Sequence, residues 1–237
     1  EPQEHAAAMA ACGMNHVELD EVQRTVRFAA RGLEINLGSI GKGYAIDEAM
    51  RRLRQEFGVE CCLITGGSSS MLGIGSLWGD DRGWLIAIED PEAPDRTLAA
   101  VRVRNRAVGT SSAANQHFEA GGKRYGHLLD PRTGRPADVL AGVTVLAPDA
   151  ATADALATAF FVMGLDKTAE FCQNHPDIAA ILVRKNGDTA VGVASTTSRP
   201  DSPHRGTQPG RSRVVTFNLP PHDVTVQPGN ERGTPPV

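Results

Sequence analysis

The chain has 237 residues, a formal net charge of −4 and an aromatic content of 5%. The lack of a basic excess and of stacking side chains disfavours nucleic acid as a partner, because phosphate binding needs the first and base stacking the second. The longest apolar run, residues 155–164, is shorter than the roughly 20 residues of a membrane-spanning helix. We therefore expect a globular chain with no nucleic-acid partner and no transmembrane segment.

The four cysteines, Cys12, Cys61, Cys62 and Cys172, show no spacing typical of zinc ligands. Adjacent Cys61 and Cys62 would point to opposite faces of a strand, so we interpret them as small core side chains. A redox role or a disulfide stays open. The chain begins with Glu1 rather than Met and shows no signal-like segment, so we expect the natural protein to extend further upstream.

The N-terminal half predicts a short helix over Glu1–Gly13, followed by a hairpin of His16–Leu19 and Thr25–Ala29. A strand at Leu33–Leu37 leads into a helix over Tyr44–Phe57, whose apolar residues recur at helical spacing. The pattern then predicts two short strands and an antiparallel meander: Val59–Ile64, Met71–Ile74, Trp84–Glu89, Leu98–Val103 and Arg106–Gly109.

The C-terminal half also shows apolar residues at helical spacing and in the alternating pattern of strands. It predicts a hairpin, a strand, two helices and two more strands: Phe118–His127, Val143–Ala147, Thr152–Met163, Lys167–Asn174, Ile178–Arg184 and Thr189–Ala194.

The composition changes near residue 195. Residues 196–237 hold 8 of the 15 prolines, so we predict one domain over 1–195 and an extended or disordered tail over 196–237. Within the tail, Val214–Phe217 and Val224–Val226 have the composition of edge strands. We expect the fold to survive removal of everything after Ala194.

Four segments carry polar groups in patterns that suit phosphate and metal binding. The first is the glycine loop and helix start Asn36-Leu-Gly-Ser-Ile-Gly-Lys-Gly-Tyr-Ala-Ile-Asp47. Exposed amides at a helix N-terminus suit a phosphate, and Lys42 would add a positive charge. The second is Gly66-Gly67 followed by three serines, whose amides can form an anion-binding turn. The alternative for the first segment is a plain strand-to-helix turn, and for the second a tight turn.

The third segment is Tyr125-Gly-His-Leu-Leu-Asp-Pro-Arg-Thr-Gly-Arg-Pro136, where His127 precedes a rigid Asp-Pro turn. Such a histidine can act as an acid or a base, although a lone histidine is more often an ordinary surface or core residue.

The fourth segment is Ala147-Pro-Asp-Ala-Ala-Thr-Ala-Asp-Ala-Leu-Ala-Thr-Ala159. Asp154 and Thr158 stand one helical turn apart, so one face presents a carboxylate and a hydroxyl, which suit Mg²⁺. The alternative is helix capping by Asp149 or Thr152, with Asp154 in the first turn.

In order and spacing, the four segments resemble the ApbE family of FAD:protein FMN transferases. The resemblance runs from about residue 2 to 194, and its specific parts are His127 with Asp130-Pro-Arg-Thr-Gly134, and Thr152-Ala-Asp-Ala-Leu-Ala-Thr158. The implied fold is α+β, with antiparallel or mixed sheets and the helices of Lys42 and Asp154 packed on them.

The resemblance also implies a set of site residues, with FAD as the substrate and Mg²⁺ as the cofactor. The metal ligands would be the side chains of Asp154 and Thr158 and the backbone carbonyl of Ser39. His127 would help to deprotonate the acceptor hydroxyl. FAD would contact Asn36, Lys42, Gly66, Gly67 and the backbone near Leu129.

The chain departs from the family pattern in three places. An upstream segment that carries much of the flavin-ring pocket in the family is not in this sequence. Asn36 stands where an acidic residue is common, and Ile64-Thr-Gly-Gly-Ser68 replaces the usual Asn-Ala-Gly-Gly-Asp.

The expected activity is the Mg²⁺-dependent transfer of FMN from FAD to a threonine or serine hydroxyl of an acceptor protein, with release of AMP. A non-catalytic flavin- or nucleotide-binding relative and an Mg²⁺-dependent FAD pyrophosphatase are the alternatives. By resemblance, we expect an extracytoplasmic location, either membrane-anchored or periplasmic.

Overall fold

Helices, a six-stranded sheet and a three-stranded sheet form successive layers in the computed structural model, which describes residues 2–77, 81–112, 117–185, 214–219 and 224–226. The helices are α1 (Pro2–Ala11), α2 (Gly41–Phe57) and α3 (Ala150–Asn174), with a 3₁₀ turn at Met14–His16. The strands are β1 (Val17–Asp20), β2 (Thr25–Phe28), β3 (Cys62–Thr65), β4 (Ser70–Ile74), β5 (Trp84–Asp90), β6 (Ala93–Val103), β7 (Arg106–Ser112), β8 (His117–Ala120), β9 (Lys123–Gly126), β10 (Leu129–Asp130), β11 (Arg135–Pro136), β12 (Leu140–Ala147), β13 (Ala179–Arg184), β14 (Val214–Phe217) and β15 (Val224–Val226).

The six-stranded sheet lies in the middle and has the order β14-β13-β12-β7-β4-β3, with every pairing antiparallel. All eight residues of β12 are buried, because the strand is covered on both faces. Val143 and Val145 pack toward the helices, whereas Leu146 packs toward the three-stranded sheet β15-β6-β5. This alternation follows from the two-residue period of a strand.

Helices α2 and α3 share one face of the central sheet, and local signals set their ends. Helix α2 ends at Gly58, whose left-handed φ of 64° suits glycine. Asp149 caps α3 by accepting the Thr152 amide at 2.7 Å, as the capping interpretation expected. Gly164 interrupts α3 with a φ of 78°, which explains why the sequence predicted two helices there.

The α+β fold with antiparallel sheets and packed helices is confirmed. Two predicted elements were wrong. Leu33–Leu37 is not a strand but an irregular segment between β2 and α2, and it joins none of the described strand ladders. The meander also breaks, because β7 leaves β6 and joins the central sheet between β4 and β12. The predicted strand Thr189–Ala194 lies outside the described residues.

Two short parts of the predicted tail pair with the sheets. β14 adds to the edge of β13, and β15 adds to β6. Val215, Phe217 and Leu219 are buried in the two cores, with exposed fractions of 2–8%. This stretch therefore belongs to the domain core, and the predicted boundary at 195 does not separate it from the fold. No helix among the described residues is long and apolar enough to cross a membrane.

Candidate metal and phosphate site

A buried carboxylate, that of Asp154 in the second turn of α3, lies at the centre of the site. The residue is 5% exposed. Its Oδ1 accepts a hydrogen bond from the Ser70 hydroxyl at 2.9 Å, and its Oδ2 accepts one from the Gly43 amide at 3.0 Å. Each oxygen keeps further lone-pair capacity, because a carboxylate offers about four acceptor positions. The side chain is thus held in one orientation without being saturated.

The bond from Gly43 also affects the loop before α2. In a regular helix the Gly43 amide would donate to the Ser39 carbonyl, but here it donates to Asp154 instead. Among the described residues, no backbone amide donates to that carbonyl, and Ser39 is exposed. The loop itself is shaped by Asn36, whose Oδ1 accepts the Gly38 amide at 2.7 Å. The Ser39 carbonyl is therefore available to a ligand.

Lys42 projects toward the same carboxylate from the first turn of α2. Its Nζ donates to the Ser69 hydroxyl at 2.8 Å and lies 3.6 Å from Oδ1 of Asp154. The Lys42 side chain is 38% exposed, so its charge is open to an incoming anion. A Cβ on Gly66 would come within 3.1 Å of Lys42 Cγ, so glycine at this turn leaves room for the lysine stem. Gly67 has a φ of 72° and continues the turn.

Thr158 lies one turn beyond Asp154 on α3, as the helical spacing predicted. Its hydroxyl is hydrogen-bonded to that of Ser111 on β7 at 3.1 Å. α3 approaches β7 closely because Gly109 has no side chain: a Cβ there would lie 2.7 Å from the Asp154 amide. Carboxylate and hydroxyl therefore face the central sheet side by side.

Two contacts between α2 and α3 set this geometry. The carboxylate of Asp47 accepts the backbone amides of Ala150 and Ala151 at 2.7 and 2.8 Å, which satisfies free donors at the start of α3. Gly43 lies directly against the Ala150 carbonyl, where a Cβ would also come within 2.8 Å of Ala151 Cα. The helix that carries Lys42 is thereby fixed to the helix that carries Asp154.

His127 is exposed and lies between β9 and β10. Leu128 separates it from Leu129, which is 53% exposed, and packs against the core. The turn that follows is closed by backbone hydrogen bonds from Thr133 and Gly134 to the Asp130 carbonyl. Arg132 hydrogen-bonds the carboxylate of Asp130, and this holds the pKa of Asp130 below its ordinary value. Arg132 also donates to the Val162 carbonyl at 3.1 Å, one turn beyond Thr158. The histidine segment is therefore anchored to the same helix as the carboxylate.

The described contacts bring Lys42 against Asp154, with Gly66 beside the lysine stem. Thr158 follows Asp154 by one helical turn, and its described hydrogen bond is to Ser111 rather than to the carboxylate. Asn36, Ser39 and Leu129 are exposed, and no described bond links them to the Asp154 carboxylate. Six residues that hold the site together were not predicted as site residues. Four lie within the segments recognised from the sequence, namely Gly43, Asp47, Ser69 and Ser70, whereas Gly109 and Ser111 lie on β7, outside those segments.

The donor set fits Mg²⁺. A zinc or multi-carboxylate centre requires at least three clustered His, Cys, Asp or Glu side chains. No such cluster occurs within the described part of the chain. One buried carboxylate, one hydroxyl and one accessible carbonyl are hard oxygen donors. Mg²⁺ is commonly held by one or two carboxylates, with substrate phosphates and water completing its shell.

Known proteins are similar to this chain in sequence and in fold. The ApbE family model matches residues 1–182. A protein of Klebsiella pneumoniae (strain 342) named FAD:protein FMN transferase is 34% identical over 184 residues, which are 77% of this chain and 55% of the relative. The chain spans about half the length of the curated relatives it matches.

Solved structures agree with the sequence comparison. The crystal structure of the ApbE protein of Thermotoga maritima matches with a TM-score of 0.70 and 32% identity, over 79% of this chain and 60% of that one. The flavin transferase ApbE of Vibrio cholerae matches with a TM-score of 0.65 and 28% identity, over 79% and 58%. On the extent of the family match and these likenesses, the chain belongs to the ApbE family.

Proposed function

We propose that the chain carries the phosphate- and metal-binding part of an enzyme that transfers FMN from FAD to a threonine or serine hydroxyl of an acceptor protein. The observation that carries the proposal is the buried Asp154 carboxylate, held by Gly43 and Ser70, with Lys42 and Thr158 beside it. The names of the relatives, FAD:protein FMN transferase, supply the reaction class.

In the proposed complex, the Asp154 carboxylate, the Thr158 hydroxyl and the Ser39 carbonyl would hold Mg²⁺ as hard oxygen donors. When bound, the ion neutralises phosphate charge and makes AMP a better leaving group. Lys42 and the amides of Gly66 and Gly67 bind the phosphates, because a positive charge and exposed amides both favour anions. Asn36 and the backbone near Leu129 border the rest of the dinucleotide.

The reaction itself is a phosphoryl-group substitution. The acceptor oxygen bonds to the phosphorus of the FMN half, and the bond from that phosphorus to the bridging oxygen breaks. AMP leaves with the bridging oxygen, and the acceptor's hydroxyl proton passes to His127. A positioned base of this kind contributes roughly 10²–10⁴-fold to the rate. The product is a phosphodiester between FMN and the acceptor protein.

One incubation separates this proposal from its alternatives. Protein, FAD and Mg²⁺ are mixed with an acceptor protein or with its variant in which the acceptor threonine or serine is alanine, and the products are resolved by chromatography and intact mass. Transfer yields AMP and a flavin-labelled acceptor, with no label on the alanine variant. A pyrophosphatase yields FMN and AMP without label, and a non-catalytic binder leaves bound FAD intact; either result would overturn the proposal. By the same resemblance, we propose an extracytoplasmic location.

A further inference from the structure

The position of Lys42 differs from that of a simple phosphate ligand. Its ammonium group hydrogen-bonds Ser69 at 2.8 Å and lies 3.6 Å from Oδ1 of Asp154, where it balances the charge of a buried carboxylate. A carboxylate that is 5% exposed is costly without a positive partner. Lys42 therefore neutralises Asp154 in the ligand-free protein.

The proposed metal ion needs the same carboxylate. A dication bound to Asp154 and the Lys42 ammonium would repel each other at this short separation. The lysine stem is flexible, and its side chain is 38% exposed, so the head group can leave toward solvent. A nucleotide phosphate offers it a new negative partner.

We propose that Lys42 is an exchangeable counter-ion, which pairs with Asp154 in the free protein and moves to the substrate phosphate when metal and nucleotide bind. The inference rests on the proposed function, because it takes Asp154 as a metal ligand. It adds that Lys42 opposes metal binding in the absence of nucleotide. The protein then binds the metal with its phosphate substrate rather than as a free ion.

The variant Lys42→Met, which removes the positive charge, tests this because two affinities should change in opposite directions. Titration with Mn²⁺ alone, followed by electron paramagnetic resonance, should show metal affinity raised about 5- to 10-fold over the wild type. Calorimetry with ADP in saturating Mg²⁺ should show nucleotide affinity lowered about 10-fold or more. A residue that only binds phosphate would change the second value and leave the first unchanged.

Arg52→Met is the matched control, since it removes one positive charge from an exposed position of the same helix, where Arg52 pairs with Glu48. It should change neither affinity by more than about twofold. Equal Mn²⁺ affinity in wild type and Lys42→Met, with Asp154→Asn still abolishing Mn²⁺ binding, would overturn the exchange alone. Mn²⁺ binding that survives Asp154→Asn would overturn the metal site and the exchange with it.

Discussion

The backbone amide of Gly43 donates a hydrogen bond of 3.0 Å to Oδ2 of Asp154, across 111 positions of the sequence. This bond draws the start of α2 onto the start of α3. It holds the carboxylate in place and leaves the Ser39 carbonyl free of its usual helical donor. A backbone group thus orients the central acidic residue, and the side chain at position 43 must be absent for the bond to form.

Gly43→Ala should destabilise the fold. The new Cβ would collide with the Ala150 carbonyl and lie 2.8 Å from Ala151 Cα, and backbone cannot move aside as a side chain can. We expect a loss of about 1–3 kcal/mol in the free energy of unfolding, measured by denaturant titration. Gly41→Ala is the control, because its Cβ would meet only Leu37 Cβ at an ordinary 3.6 Å. Equal stability of both variants would contradict the close packing of the two helices.

Asp154→Asn should abolish metal-dependent turnover while the fold persists. The amide keeps the shape of the carboxylate but lacks the negative charge that attracts a hard cation. AMP release from FAD, followed with increasing Mg²⁺, is the measurement. Asp166→Asn, at an exposed position of the same helix, should behave like the wild type. Mg²⁺-dependent release within a few-fold of wild type in Asp154→Asn would disprove the metal assignment.

His127→Ala should lower the rate at saturating FAD and leave FAD affinity nearly unchanged. A proton acceptor acts in the transition state, so its removal affects kcat and not ground-state binding. We expect a loss of about 10²-fold or more. Flavin fluorescence titration and single-turnover rates give the two quantities. Lost affinity with an unchanged rate would make His127 a binding residue.

Phe217→Ala should destabilise the domain although Phe217 lies in the predicted tail. The side chain is 2% exposed and packs in the core between the helices and the central sheet. Truncating such a residue costs about 3–5 kcal/mol, whereas Thr216→Ala on the same strand should cost less than about 1 kcal/mol. Removal of residues 186–237 should likewise lower the melting temperature, contrary to the expectation from composition. An unchanged melting temperature after truncation would show that β14 adds nothing to stability.

Cys172 should be unreactive in the folded protein. Burial raises the pKa of its thiol from 9.0 to about 11, because the thiolate is disfavoured away from water. At pH 8 a thiol reagent should label the exposed Cys12 and Cys61 quickly and Cys172 only after unfolding. Cys61 precedes β3 and is exposed, so its interpretation as a core side chain was wrong. The unfolded chain ionises first, so the Cys172 thiol lowers stability as pH rises from about 9 to 11 and has no effect at lower pH. Rapid loss of all native thiols at pH 8 would count against this burial.

Local signals in the sequence predicted most of the helices. They also predicted that Asp154 and Thr158 lie on one face of α3. Gly58 ends α2 as a left-handed residue, and Asp154 and Thr158 share a face because they lie one turn apart. The partners of these residues depend on which strands are neighbours. Ser70 reaches Asp154 from 84 positions away only because β4 lies beside β7.

The errors have the same origin. The two edge strands predicted within residues 196–237, Val214–Phe217 and Val224–Val226, do form. The burial of Phe217 on β14 conflicts only with the expectation that the fold survives removal of this region. Leu33–Leu37 has strand-like residues, but it joins no strand ladder in the described part of the chain. Propensity indicates that a segment can form a strand, and the neighbouring segment decides whether it does.

The most direct test of the site is the position of a metal ion in crystals of the protein soaked with Mn²⁺ and ADP. Manganese replaces Mg²⁺ at oxygen sites, and its anomalous scattering locates it without ambiguity. We predict one peak at bonding distance from the Asp154 carboxylate and the Thr158 hydroxyl, with a phosphate oxygen of ADP as a further ligand. Bound ADP with the manganese peak away from Asp154 would contradict it.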